Sequence, residues 1–171
     1  IANSTTLRCL DLSGTKIPAE QVADVIREVS TNDNLTDFDL RLNRLKLQTG
    51  ELLPIFREML LGDLNKWTSI SLDGNEMNER DLKNLIPLFA RMEELETLSL
   101  NDNFDQDMPN IDKILTRLLE IKSLRKLSIA CVNSEQQLGD SLIPLINTLR
   151  TRSSDPKKKS HIRHLDFSGN K

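Results

Sequence analysis

The side chains best suited to acid–base catalysis stand near the end of the chain. The sequence holds two histidines, His161 and His164, and His164 could face Asp166 on one side of a short strand. A nucleophilic enzyme needs a base and an orienting group in the same cleft as its nucleophile. Neighbours on one strand face are more often a solvated pair than half of a catalytic triad. We therefore expect that the chain is not an enzyme.

Metal and cofactor chemistry has little support in the sequence. The candidate ligands Cys9, Cys131, His161 and His164 show none of the close spacings that zinc sites use. No glycine-rich phosphate-binding loop is present either. The sequence therefore predicts neither a metal nor a cofactor.

A run of three lysines, Lys157, Lys158 and Lys159, could contact an anionic lipid headgroup or an acidic partner. Each lysine near a charged membrane contributes about 1 kcal/mol, so three alone give marginal binding. The run lies in a polar, proline-containing segment, residues 152–161, which is typical of a surface loop insertion. A solvated loop is the favoured interpretation, and membrane contact has only weak support.

A repeated apolar pattern determines where these residues lie in the fold. Leu95–Asn103 reads LETLSLNDN and has the L-x-x-L-x-L-x-x-N form of a leucine-rich repeat. Leu98 and Leu100 alternate as they would in a short strand with one buried face. We expect the closing asparagine to turn inward, where its amide can bond to backbone groups that a tight bend leaves unpaired.

The same pattern recurs about six times along the chain. The second apolar residue of each copy is Leu10, Phe38, Ile70, Leu98, Leu127 or Leu165. Successive copies are 28, 32, 28, 29 and 38 residues apart, and the last step holds the 152–161 insertion. Chance clustering of leucines would rarely keep both the pattern and its spacing.

Helical spacing fills the intervals between the strands. In the first interval, AEQVADVIREVS places Val22, Val25, Ile26 and Val29 on one face. A strand followed by a helix, in a repeat near 28 residues, is typical of ribonuclease-inhibitor-like proteins. The sequence therefore predicts an α/β leucine-rich repeat solenoid, a right-handed horseshoe with a parallel concave sheet and convex helices. We expect one domain, residues 1–171, and its uncapped end repeats indicate a fragment of a longer protein.

The repeat pattern also predicts which side chains pack inward from the later helices. These residues are Leu52, Phe56, Met59 and Leu60, then Leu82, Leu85, Ile86 and Phe89, then Ile111, Ile114, Leu115 and Leu118, and finally Leu142, Leu145, Ile146 and Leu149. Trp67 takes the first apolar position of its repeat and is predicted to be core. Asn78 is a predicted helix N-cap, and Pro87 is predicted to kink or restart its helix.

The outward residues of the strands would line the concave face of the horseshoe. The candidate protein-binding residues on this face are Asp11, Asp39, Arg41, Asp73, Asn101, Lys126, His164 and Asp166. The face is small, polar and mildly acidic, and it lacks the tryptophan, tyrosine and clustered arginine that dominate most interfaces. A solvated sheet remains the favoured interpretation of this surface.

Net charge and cysteine content limit the classes of partner and the cellular compartment that we expect. The net charge of −3 and the pI near 5.5 argue against nucleic-acid or membrane binding over the whole surface. Cys9 and Cys131 lie about four repeats apart, too far for a disulfide in a stacked solenoid, and free thiols indicate a reducing compartment. No signal-peptide pattern opens the chain, and no apolar run reaches the roughly 18 residues of a membrane span. We therefore expect a cytoplasmic protein.

Three stretches resemble the leucine-rich region of the CARMIL family, the capping protein, Arp and myosin-I linkers. They are LSGTKIPAE after the first strand, WTSISLDGNEMNERDLKNLIPLF, and SLIPLINTLRTRSSDPKKKSHIRHLDFSGNK with its lengthened repeat. The resemblance covers most of the chain, and the order of repeat lengths carries it. It implies a non-enzymatic scaffold or protein-interaction segment of a cytosolic regulator of actin assembly at the leading edge of moving cells.

The resemblance also implies partners that regions outside this chain would bind. Actin capping protein and the SH3 domains of myosin-I would bind a disordered tail, and a helical region would make the full-length protein a homodimer. No capping-protein-binding residue can be carried onto this sequence. The main alternative is a direct binding module of ribonuclease-inhibitor, NOD or GTPase-activating type that uses the horseshoe face. Tropomodulin-like actin binding is a third option.

Overall fold

The computed structural model describes residues 3–39, 66–103, 108, 110–130, 143, 146, 147, 149, 150 and 161–169. Within these ranges the elements follow one another as strand β1 (Cys9–Asp11), helix α1 (Ala19–Ser30), β2 (Asp37–Asp39), β3 (Ser69–Ser71), α2 (Glu79–Phe89), β4 (Thr97–Ser99), α3 (Ile111–Leu119), β5 (Lys126–Ser128) and β6 (His164–Asp166). None of these helices is long and apolar enough to cross a membrane.

The strands of the described ranges form one six-stranded parallel sheet in chain order. Each strand pairs with the next through its central residue, from Leu10 against Phe38 to Leu127 against Leu165. The residues at the centre of the strands are the ones that mark the repeat in the sequence. The prediction of an α/β fold with a parallel sheet is therefore confirmed.

One face of the sheet is buried against the helices. The central residues Ile70, Leu98 and Leu127 are buried, and they join the apolar residues of α1, α2 and α3 in one core. The flanking residues of β3 and β4 are only half-buried. Apolar residues at every second strand position thus place the helices on one side and leave the other side of the sheet open.

The predicted core positions of α2 and α3 are confirmed. All eight predicted inward residues of these two helices are buried, and Trp67 is fully buried ahead of β3. In α1 the corresponding residues are buried except Val25, which is half-buried against the core. Leu52, Phe56, Met59 and Leu60 lie outside the described residues.

The prediction that Ile146 packs inward is wrong. Ile143 and Ile146 are 60% and 59% exposed, although Leu149 is half-buried against the core. Leu142 and Leu145 lie outside the described residues. Apolar residues occupy more than half of this helix surface in the sequence, so periodicity alone did not fix which side faces the sheet.

Helix α2 confirms the predicted N-cap and runs continuously through Pro87. Asn78 is the N-cap: its side chain accepts from the amide of Asp81 at 2.9 Å, and the Asp81 carboxylate accepts from the Asn78 amide at 3.0 Å. The helix continues past Pro87 to Phe89, so this proline does not restart it, and Pro87 is exposed in the last turn.

Buried asparagines connect the turns that follow the strands. The Asn103 side chain is 3% exposed and donates to the carbonyls of Leu100 at 3.1 Å and of Leu72, in the preceding repeat, at 2.7 Å. Its Oδ1 atom accepts from the backbone amide of Asn75 at 2.9 Å. The predicted inward role of the asparagine is thus confirmed, and it acts between repeats as well as within one.

The first repeat uses a threonine at the equivalent position. Thr15 donates through its hydroxyl to the carbonyl of Leu12 at 2.8 Å, as Asn75 donates to Leu72 at 2.9 Å. A hydroxyl therefore supplies the local bond of the turn.

The residue before each of these positions has a positive φ angle. Gly14, Gly74 and Gly169 have φ between 63° and 72°, and Asp102 has φ 54°. Glycine adopts this left-handed conformation without a Cβ clash, and aspartate is among the few other residues that tolerate it. The SG, DG and ND dipeptides after the strands thus have one conformational cause.

We predict that Asn103→Ala lowers the free energy of unfolding by about 2–4 kcal/mol, because several buried backbone groups lose their partners. Asn103→Thr should give an intermediate loss, since a hydroxyl can bond to the Leu100 carbonyl as Thr15 does to Leu12 but cannot reach the preceding repeat. Urea denaturation followed by circular dichroism measures both. Equal stability of the alanine variant and the original chain would exclude this role for the amide.

Candidate protein-binding surface

The open face of the sheet carries two outward rows of side chains in register. The first row is Cys9, Asp37, Ser69, Thr97, Lys126 and His164, and the second is Asp11, Ser71, Ser99, Ser128 and Asp166, with the backbone of Asp39 at the same register position on β2. Neighbouring members of a row belong to strands about 4.8 Å apart. The structure therefore brings most of the predicted concave-face residues onto one surface.

A hydrogen-bond network connects the second row with the turns that follow it. The Asn101 amide groups donate to the Asp73 carboxylate, the backbone N–H at 2.8 Å and Nδ2 at 3.1 Å. Asn101 Oδ1 accepts from the Ser128 hydroxyl at 2.7 Å and from the Ala130 amide at 2.6 Å. The Ser128 hydroxyl also lies 3.4 Å from an Asp166 carboxylate oxygen. The network runs from the β3 turn to β6, and its polar groups bond mainly to one another.

Asp11 and Asp166 have equivalent roles at the two ends of the sheet. Each accepts from the amide of the serine two residues later at 2.8 Å, Ser13 and Ser168 respectively. The Ser168 backbone hydrogen bond, with smaller contributions that include Ser128, lowers the pKa of Asp166. Asp166 is half-buried, so this carboxylate helps to fix the turn after β6.

His164 and Asp166 lie on the same strand face, as predicted, with different surroundings. The Asp166 carboxylate bonds to Ser168 and Ser128, whereas the His164 side chain is exposed. No hydrogen bond joins the two residues within the described ranges. Asp166 therefore orients the turn and not the imidazole.

Several predicted site residues are only partly placed. Arg41 and the run Lys157–Lys159 lie outside the described residues, and for Asp39 the structure describes the strand but not the side chain. Cys9 is exposed on β1. No cluster of three or more potential metal ligands occurs among the residues that the structure describes.

Sequence reasoning missed the arginines that precede β5 and β6. The amides of Arg163 and His164 both donate to the carbonyl of Arg125, at 2.7 and 3.0 Å, so the two repeats place these arginines side by side. The signal was present in the repeat pattern, because RKL and RHL occupy equivalent positions. The basic residues Arg125, Lys126, Arg163 and His164 thus meet at one end of the open face.

The opposite end of the open face carries two carboxylates and the exposed Arg8, which precedes β1 as Arg125 precedes β5. Asp11 is exposed and Asp37 is half-buried, on β1 and β2, and Asp37 stands in the same row as Lys126 and His164. Between the two ends lie the small polar side chains of Ser69 and Thr97. The face is therefore polarised across the sheet, with charge at its ends and small hydrogen-bonding groups at its centre.

On the helix side of the sheet, the pKa of Asp81 shifts in the opposite direction to that of Asp166. It is 5% exposed and its carboxylate belongs to the capping box of α2. Burial raises its pKa, and the hydrogen bond from the Asn78 amide offsets part of that effect. Asp81 and Asp166 therefore differ in the sign of their contribution to stability in acid.

The chain has relatives over almost its whole length. No family model matches it. It is 28% identical to the human capping protein, Arp2/3 and myosin-I linker protein 3 over 174 aligned positions, which cover 99% of the chain and 12% of that protein. Identity to the Dictyostelium discoideum protein CARMIL is 26% over 176 positions, covering 99% of the chain and 16% of that protein. The chain is homologous to the CARMIL proteins.

A third CARMIL relative extends this match. The mouse capping protein, Arp2/3 and myosin-I linker protein 2 is 25% identical over 176 positions, which cover 99% of the chain and 12% of that protein. The resemblance predicted from the sequence is confirmed. The chain spans less than a fifth of the length of these CARMIL relatives. The names of the linker proteins describe connections to capping protein, Arp2/3 and myosin-I.

We predict opposite acid responses for Asp166→Asn and Asp81→Asn. The lowered pKa of Asp166 gives stability that is present above the unfolded-state pKa, near 3.8, and is lost as the pH falls through the folded-state value. The raised pKa of Asp81 has the reverse sign, because the folded state takes up its proton more readily. Asp166→Asn should therefore reduce the loss of melting temperature between pH 6 and pH 3, and Asp81→Asn should increase it.

Thermal unfolding of the two variants and the original chain at both pH values measures these changes. Asparagine keeps an acceptor oxygen at each position, so the pairs of hydrogen bonds can persist while the titration is removed. A smaller acid loss in Asp81→Asn than in the original chain would contradict the assignment.

Proposed function

We propose that the chain is a leucine-rich repeat segment of about six repeats, a right-handed horseshoe with a concave parallel sheet and convex helices. The support is the agreement between sequence and structure at the turns that the structure describes: the apolar residue at the strand centre, the left-handed residue four positions later, and the amide or hydroxyl that then bonds to the turn. Stacked repeats bury a continuous core that a single repeat cannot form.

We further propose that this segment belongs to a non-enzymatic, cytoplasmic regulator of actin assembly and acts as its scaffold. The observation that carries the proposal is the match of 99% of the chain to linker proteins whose names join capping protein, Arp2/3 and myosin-I. By this resemblance, capping protein and myosin-I would bind regions outside this chain. The protein would then act at the actin cytoskeleton of the leading edge.

Contacts on both sides of the sheet support a rigid spacer. On the open face the network around Asn101 spans β3 to β6. On the helix side the Glu79 carboxylate, at the start of α2, accepts from Asn110 Nδ2 at 2.9 Å and also contacts Lys83. Neighbouring repeats are thus connected through the core, the open face and the helix ends, and six strands span about 24 Å.

Affinity capture from the cytosol of motile cells tests this function. The baits are the intact protein that contains this segment and the 171-residue chain alone, and mass spectrometry identifies the retained proteins. We expect the intact protein to retain capping protein and myosin-I, and the chain alone to retain neither. Immunoblots for both partners quantify the difference.

Each other result has a defined meaning. Retention of neither partner by the intact protein would refute the assignment to actin regulation. Retention of either partner by the chain alone would favour the direct binding module over the spacer. A bait with the chain deleted from the intact protein is the control, because the proposed partner regions remain while the spacing is lost.

A further inference from the structure

We propose that the basic end of the open sheet face, formed by Arg125, Lys126, Arg163 and His164, is a docking surface for an acidic protein segment. The inference rests on the proposed scaffold function and names a partner chemistry for one surface of it. Two neighbouring repeats build the surface, since Lys126 pairs with His164 in the sheet and the carbonyl of Arg125 accepts from the amides of Arg163 and His164. Backbone pairing therefore fixes four basic side chains in two adjacent rows.

The basic side chains of this surface are exposed or half-buried. Lys126, Arg163 and His164 are exposed, and within the described ranges no carboxylate forms an ion pair with any of the four residues. Among the described residues, the Arg125 guanidinium donates to the carbonyls of Lys122 at 2.9 Å and Leu124 at 3.3 Å. Those bonds hold the arginine in place and leave its charge available to a partner.

Nearby carboxylates offset part of this charge: the pKa of Asp166 is lowered mainly by its hydrogen bonds to Ser168 and to a smaller extent by the neighbouring His164. Asp166 is engaged with the Ser168 amide and with Ser128. One acidic residue, Glu96, lies in the neighbouring repeat at the position equivalent to Arg125 and Arg163. Lys122, three residues before Arg125, is a further exposed basic residue. The patch is therefore locally basic in a chain with a net charge of −3. Complementarity favours an acidic partner.

The distribution of charge on the open face favours binding of a protein segment over binding of a membrane. Asp11 and Asp37 lie at the other end of the same sheet face. A flat anionic bilayer laid over this face would meet these carboxylates as well as the cations. A short acidic segment can cover β5 and β6 alone, without contacting Asp11 and Asp37.

A binding titration with a short fluorescein-labelled glutamate–serine peptide tests the proposal. The variants of the full chain are Lys126→Glu/Arg163→Glu and the control Arg80→Glu/Arg91→Glu. The control pair is exposed and alters the same net charge on α2 and just beyond its end. Fluorescence anisotropy at low ionic strength should show binding to the original chain and the control, and at least a roughly tenfold weaker affinity in the patch variant. Circular dichroism verifies that both variants are folded.

The remaining outcomes overturn the proposal. Equal losses in the patch and control variants would mean that only net charge matters. Absence of peptide binding to the folded original chain would also refute the patch. Binding to phosphatidylserine–phosphatidylcholine vesicles, but not to the peptide, would assign the surface to a membrane. None of these results affects the capture of capping protein and myosin-I by the intact protein, so failure of this inference is distinguishable from failure of the proposed function.

Discussion

The register of the sheet depends on the hydrogen bonds of the turns that follow the strands. Strands of three residues form too few backbone hydrogen bonds to specify a pairing by themselves. The turn supplies the missing constraint. The Asn103 amide connects the backbone at Leu100 with that at Leu72, and accepts from Asn75, so that one side chain ties two successive turns together. Breaking this contact would expose buried carbonyls and amides in two repeats at once.

The same constraint explains the polar character of the open face. Once the register is fixed, outward side chains on adjacent strands come within hydrogen-bond reach, and Asp73, Asn101, Ser128 and Asp166 use one another as partners. Groups that are already bonded have less to gain from a partner protein, since binding would only exchange one hydrogen bond for another. The central part of the face is thus better suited to rigidity than to recognition.

Much of the fold could be predicted because the repeat ties local pattern to long-range pairing. An apolar residue such as Leu98 marks a strand centre, and its counterpart Leu127 marks the partner in the neighbouring strand. Ile146 could not be placed in this way. Most residues from 142 to 149 are apolar, so their pattern does not show which side of the predicted helix faces the sheet. The sequence could not show that α2 runs through Pro87 to Phe89, because the position of a helix end is uncertain by about one or two residues.

The sequence predicted which residues lie in the outward rows of the candidate surface, but it did not predict the cluster of basic residues. Outward positions follow from alternation, so Lys126 and His164 could be assigned to one row from the sequence. Arg125 and Arg163 lie just outside the three-residue strands, and their proximity depends on backbone contacts at the strand entrance. The spacing of residues also cannot show which charged side chains form ion pairs. Asp166 is close in sequence to His164, but its carboxylate accepts a hydrogen bond from the turn. Charge that the fold does not satisfy internally is what distinguishes the β5–β6 end from the centre of the sheet, and a rigid array presents that charge at a fixed position relative to its other repeats.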